Sequence, residues 1–136
     1  MNLLPLPAVH YLPTRTLSVG RDAESFRVSG GPSVDLRTLG PLRRIVRLLV
    51  ETHCESPGRC LSLDEIFDAA WFGEDAEACS VTVRRGRVYP AISKLRRMGL
   101  APVLRRTDAG YCLDSRCCLI TEGPLVSRAP ACAMVA

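Results

Sequence analysis

Arg84, Arg85, Arg87, Lys94, Arg96, Arg97, Arg105 and Arg106 all fall within residues 81–106, a stretch with no acidic side chain. A run this one-sided sets up a local positive field and attracts a polyanion. The chain before it is the inverse: residues 51–80 carry eight acidic side chains against a single base, Arg59. The net charge of +4 therefore conceals two oppositely charged stretches. A basic run is often no more than a solvated face. Here it coincides with a helical pattern, which points to nucleic acid.

Other chemistries are poorly supported. Seven cysteines are present, at Cys54, Cys60, Cys79, Cys112, Cys117, Cys118 and Cys132, with two histidines, His10 and His53. The cysteine number is odd and no CxxC occurs, so neither a disulfide framework nor a zinc site is specified. Reduced thiols are expected, with a redox switch at Cys117 or Cys118 as the alternative. Ser62, Ser80 and Ser93 read as cap, loop and surface, and His53 as a partner of a helix dipole. There are no paired carboxylates and no phosphate-binding glycine loop. No catalytic residue, cofactor or metal is expected, and the chain is not read as an enzyme.

The basic run must be held by a small fold. A chain of 136 residues, 47% apolar and only 5% aromatic, suits one domain with an aliphatic core. Lys94 is its only lysine, a usage expected of a GC-rich coding sequence. Residues 1–14 are punctuated by Pro5, Pro7 and Pro13 and read as an arm, not a signal peptide. Without an apolar run of membrane-spanning length, the cytoplasm is the default location.

The segments at 17–19, 25–28 and 34–36 read as short strands, with turns at Gly20–Asp22 and Gly30–Pro32, giving a small antiparallel sheet. A first helix is expected over 41–54, opened by Pro41, with Leu42, Ile45, Val46 and Leu49 as one apolar stripe. A second begins at the capping box Ser62-Leu-Asp-Glu65, buries Leu63, Ile66, Phe67, Ala70 and Trp71, and stops at Gly73. The third is placed over 87–98, because Pro90 is tolerated only in a first helical turn. Val88, Ile92 and Leu95 then point inward, and Ser93, Lys94 and Arg97 outward. Residues 103–113 form a hairpin around Thr107–Gly110. The domain is bounded at 15–116, leaving 117–136 as a weakly ordered tail.

The order of these pieces is that of a winged helix-turn-helix, an α+β fold. The leading sheet, LRRIVRLLVE, PGRCLSLDEIFDAAW, RVYPAISKLRRMGL and AGYCL together resemble the DNA-binding effector domain of OmpR/PhoB-type response regulators, over residues 17–114. The resemblance implies that Ser93, Lys94 and Arg97 face the major groove of duplex DNA. It also implies a core role for Trp71, and makes Gly110 and Tyr111 the closing pair of the hairpin wing. Three features depart from the family. No receiver domain precedes the module in this sequence, Pro90 interrupts the recognition helix, and Asp108 at the wing tip would be repelled by phosphate. Transcriptional regulation is the function implied, with RNA polymerase or a larger regulator as a further partner. The alternative is an interaction module that keeps the fold without binding DNA, its acidic second helix and loop docking a basic partner.

Overall fold

A computed structural model describes residues 15–72 and 80–122. Among the described residues the fold is α+β, with three α-helices, one small sheet and a hairpin. The order is β1 (Thr16–Val19), β2 (Ser25–Val28), β3 (Val34–Asp35), α1 (Gly40–Glu55), α2 (Leu63–Ala70), α3 (Val81–Leu95), β4 (Leu104–Thr107), β5 (Gly110–Leu113) and β6 (Cys118–Thr121). The arm over 1–14, the stop at Gly73 and the acidic loop over 74–77 lie outside the described residues.

The sheet is larger and differently wired from the one expected. Its order is β3-β2-β1-β6. β1 pairs antiparallel with β2, but β6 lies parallel to β1, with Thr16 opposite Cys118 and Val19 opposite Thr121. Residues 118–121 are therefore a strand and not a loose tail, and the sheet is mixed. β6 looked featureless because its burial alternates only weakly, with Ile120 half exposed. The parallel partner that selects it lies at the other end of the chain.

α1 is the central element. Leu42, Ile45, Val46, Leu49 and Val50 are buried, and Pro41 sits in the first turn as expected. Its arginines are not idle surface. The Arg43 Nε–H donates to the Asp22 carbonyl (3.0 Å), and Arg44 donates twice to the Ala70 carbonyl (2.9 and 2.6 Å). Arg44 thereby satisfies a carbonyl that the end of α2 leaves without an intrahelical donor. α2 itself starts as read. The Ser62 hydroxyl accepts from the Glu65 N–H, and the Glu65 carboxylate accepts from the Ser62 N–H. Trp71 is half-buried, stacked on the fully buried Phe67 with ring centroids 5.6 Å apart, so it flanks the core and does not fill it.

α3 corrects the sequence reading most. It starts at Val81, not near Arg87, because Ser80 caps it: the Ser80 hydroxyl accepts from the Val83 N–H at 3.2 Å. Pro90 lies inside the helix. Its ring removes one N–H and crowds the carbonyl four residues back, which belongs to Gly86. Both residues are exposed, so that carbonyl can turn to water. The helix continues as a wider-wound turn over Arg96–Leu100, where Gly99 takes φ +133°. Val88, Ile92 and Leu95 are buried as expected.

The hairpin is locked to the chain entering α2. The Leu61 N–H donates to the Tyr111 carbonyl (2.7 Å), and the Tyr111 N–H donates to the Leu61 carbonyl (2.9 Å). Gly110 makes this approach possible: its φ is +133°, and a Cβ there would overlap the Leu61 carbonyl. Gly110→Ala is expected to destabilise the fold by about 2–4 kcal/mol, combining backbone strain with a clash against main chain. Gly30 has φ +86° but open space around a Cβ. Gly30→Ala should therefore cost only about 1 kcal/mol. Denaturant unfolding of the two variants checks this; equal effects would mean that the close approach to Leu61 is relaxed in solution.

Candidate nucleic-acid interface

Strand alternation sorts the hairpin into two faces. Arg106 lies opposite Tyr111, and Arg105 opposite Cys112. Tyr111 and Arg106 look towards α3, where with Tyr89, Ile92, Ser93 and Arg96 they line an open groove of about 210 Å³. Arg105 looks the other way. Its Nε and Nη2 donate to Asp114 Oδ2 at 3.2 and 2.7 Å. The two neighbouring arginines that sequence analysis treated alike thus have different surroundings.

The same sorting applies along α3. Arg84 turns back onto α2, paired with Asp64 at 2.7 Å and lying 5.7 Å from the Phe67 ring centroid. Arg87 is half-buried and engaged. Arg85, Lys94 and Arg97 are exposed, and Arg96 is half-buried with its Nε unsatisfied. Together with Arg106, these four make no ion pair among the described residues. Elsewhere the pattern is reversed: Arg37, Arg43, Arg47, Arg59, Arg105 and Arg116 each have a carboxylate within 4 Å.

Helical spacing places Gly86, Pro90 and Ser93 at i, i+4 and i+7, in a line opposite the Val88/Ile92/Leu95 stripe. All three are exposed, with Arg97 one turn further on. The middle of the outward side therefore carries almost no side-chain bulk, and the cations flank it. Tyr89, which sequence reading passed over, is 39% exposed and borders the groove. Its signal was present in the spacing, since it falls one turn before Ser93 and two turns before Arg96. With the helix started at Arg87, Tyr89 falls in its first turn. At the hairpin tip Asp108 is exposed, and the Ala109 N–H donates to the Thr107 hydroxyl at 3.1 Å.

The cysteines divide as well. Cys54, in the last turn of α1, is disulfide-bonded, so the expectation of reduced thiols throughout does not hold. Among the described residues no helix is long and apolar enough to cross a membrane. Cys60, Cys112, Cys117 and Cys118 are free. Burial pushes the Cys117 thiol up to about 11, which makes it a poor nucleophile at neutral pH. Its carbonyl instead lies 3.2 Å from His53 Nε2, tying the end of α1 to the start of β6. Among the described residues no group of His, Cys, Asp or Glu could hold a metal ion.

The chain matches no protein-family model, no curated protein and no solved structure.

Asp114 is the buried anchor of the hairpin base. The Arg116 N–H donates to Oδ1 at 3.0 Å while Arg105 holds Oδ2. These bonds, the Arg116 N–H foremost and Arg105 second, hold its carboxyl below the usual carboxylate range. A carboxyl depressed in the folded state contributes stability above its unfolded pKa, about 3.9, and loses it as pH falls through the lower folded value. Asp114→Asn is therefore expected to be less stable than the parent at pH 7 and to lose stability less steeply below about pH 4. Parallel thermal melts from pH 7 down to about pH 2 measure it; parallel curves would mean that Asp114 is not held in this way.

Proposed function

We propose that the chain binds duplex DNA as a winged helix-turn-helix, with α3 as the recognition helix and the β4–β5 hairpin as the wing, and that it acts in transcriptional regulation. One observation carries the reading: Arg85, Lys94, Arg96, Arg97 and Arg106 gather around α3 and its groove without an acidic partner among the described residues, while most other arginines are paired. Unpaired cations on one face are available to phosphates. A helix of 15 residues is about 22 Å long and fits the major groove, roughly 12 Å wide. The small line Gly86, Pro90, Ser93 lets its backbone come close to base edges. Ser93, Lys94 and Arg97 then read sequence, and Arg85, Arg96 and Arg106 hold the backbone. The resemblance to OmpR/PhoB-type effector domains supports the same assignment.

The interaction-module alternative drew on the acidity of α2. That acidity is partly spent inside the fold, because Asp64 pairs with Arg84 and Glu65 with Arg59, each at 2.7 Å.

Binding is expected to weaken steeply with salt. With about four to six phosphates neutralised, the log–log slope falls near −0.9 per phosphate. Fluorescence-anisotropy titrations of a random duplex at several salt concentrations measure it; a flat response, or no binding at low salt, overturns the reading.

Single substitutions separate the roles. Arg97→Ala should cost about 1–3 kcal/mol on a selected site and relax the preference at one base position. Arg106→Ala should weaken selected and random DNA alike and reduce the salt slope by about one. Arg105→Ala, on the far face of the hairpin, should leave slope and preference unchanged. Competition titrations on both DNA types decide; if Arg105→Ala behaves as Arg106→Ala does, the far face is the one that meets DNA.

A further inference from the structure

The Leu61–Tyr111 pairing has a chemical neighbour. Leu61 and Tyr111 exchange both backbone hydrogen bonds, so they form a hydrogen-bonded antiparallel pair. One step along lies the non-hydrogen-bonded pair, and its residues are Cys60 and Cys112. Cα atoms in such a pair approach to about 4.5 Å, inside the roughly 4.4–6.8 Å that a disulfide spans. Both side chains fall on the face away from the groove, since Tyr111 lies on the groove face and successive residues alternate. Thr107 lies on that face too, its hydroxyl 3.1 Å from the Cys60 sulfur. Both cysteines are free.

We propose that Cys60 and Cys112 form a thiol–disulfide exchange site, converted by small-molecule disulfides into a cross-strand bond that staples the hairpin to the chain entering α2. The two thiols differ in the way the reaction needs. Cys60 is half-buried and accessible. Cys112 is buried, and burial together with the adjacent Cys60 pushes its thiol up to about 11. Cys60 is therefore the attacking thiol. As thiolate it displaces one sulfur of RS–SR; the S–S bond breaks, Cys60–S–SR forms, and RS⁻ leaves and takes a proton. Cys112 then loses its proton to solvent and attacks the Cys60 sulfur, and the second RS⁻ leaves and is protonated. Two protein thiols are oxidised to one disulfide, and one small disulfide is reduced to two thiols. The inference is independent of DNA binding.

The test uses the full chain with its accessible thiols reduced, treated with oxidised glutathione and mapped by peptide mass spectrometry. The expected product is a Cys60–Cys112 crosslink, with Tm raised by roughly 10 °C. Cys112→Ser should trap glutathione on Cys60, and Cys112→Ala serves the same purpose if the hydroxyl is not tolerated in the buried site. Cys60→Ser should leave Cys112 unmodified. The proposal is overturned if oxidation leaves Cys60 and Cys112 unlinked. It is equally overturned if glutathione accumulates on Cys112 in the Cys60→Ser chain.

Discussion

Two hydrogen bonds between Leu61 and Tyr111 fix the relation between the helices and the hairpin. They join the residue before the α2 cap to the middle of β5, so the start of α2 and the hairpin cannot move independently. α3 packs on α2, and its groove is closed on the far side by Arg106 and Tyr111. The arrangement depends on an atom that is missing. With any side chain at 110, the Leu61 carbonyl could not come this near. Gly110 is thus a packing residue as much as a turn residue.

Electrostatics then divides the arginines by task. Those on α1 tie it to its neighbours, at Asp22 and at the Ala70 carbonyl. Arg84 and Arg105 hold α3 to α2 and the hairpin to its base. Ala70 and Asp114 are buried, and a buried acceptor without a donor is costly, so Arg44 and Arg105 answer structural demands. The side chains of Asp22 and Asp64 are exposed, and their pairs contribute little to stability. The cations left over flank the bare outward line of α3. An unbalanced face of this kind is poor for stability and useful for meeting a polyanion.

Local signals were legible in the sequence, and non-local ones were not. Ser62 and Glu65 cap each other as their spacing implied, and Val88, Ile92 and Leu95 are buried as their period implied. Ser80 carries an equally local cap, yet Pro90 outweighed it. A proline four residues after an exposed glycine costs a helix less than a proline elsewhere, because the crowded carbonyl can reach water. The opposed fates of Arg105 and Arg106 follow from strand alternation, which was available once the hairpin was placed, but the Asp114 partner follows from the turn beyond it. Tyr89 was lost with the misplaced helix start. β6 was invisible, since nothing within residues 118–121 names β1 as its partner.

That last pairing governs the order in which the chain can finish. Thr16 meets Cys118 across nearly the whole described length. During synthesis β1, β2 and β3 emerge first, and one edge of β1 stays open until residues 118–121 leave the ribosome. An open strand edge is a template for pairing with other chains. Such long-range closure also slows folding, because the loop entropy is lost before the strand contacts form. The nascent chain therefore carries a bare sheet edge throughout the synthesis of all three helices, and β6 arrives as its late cover.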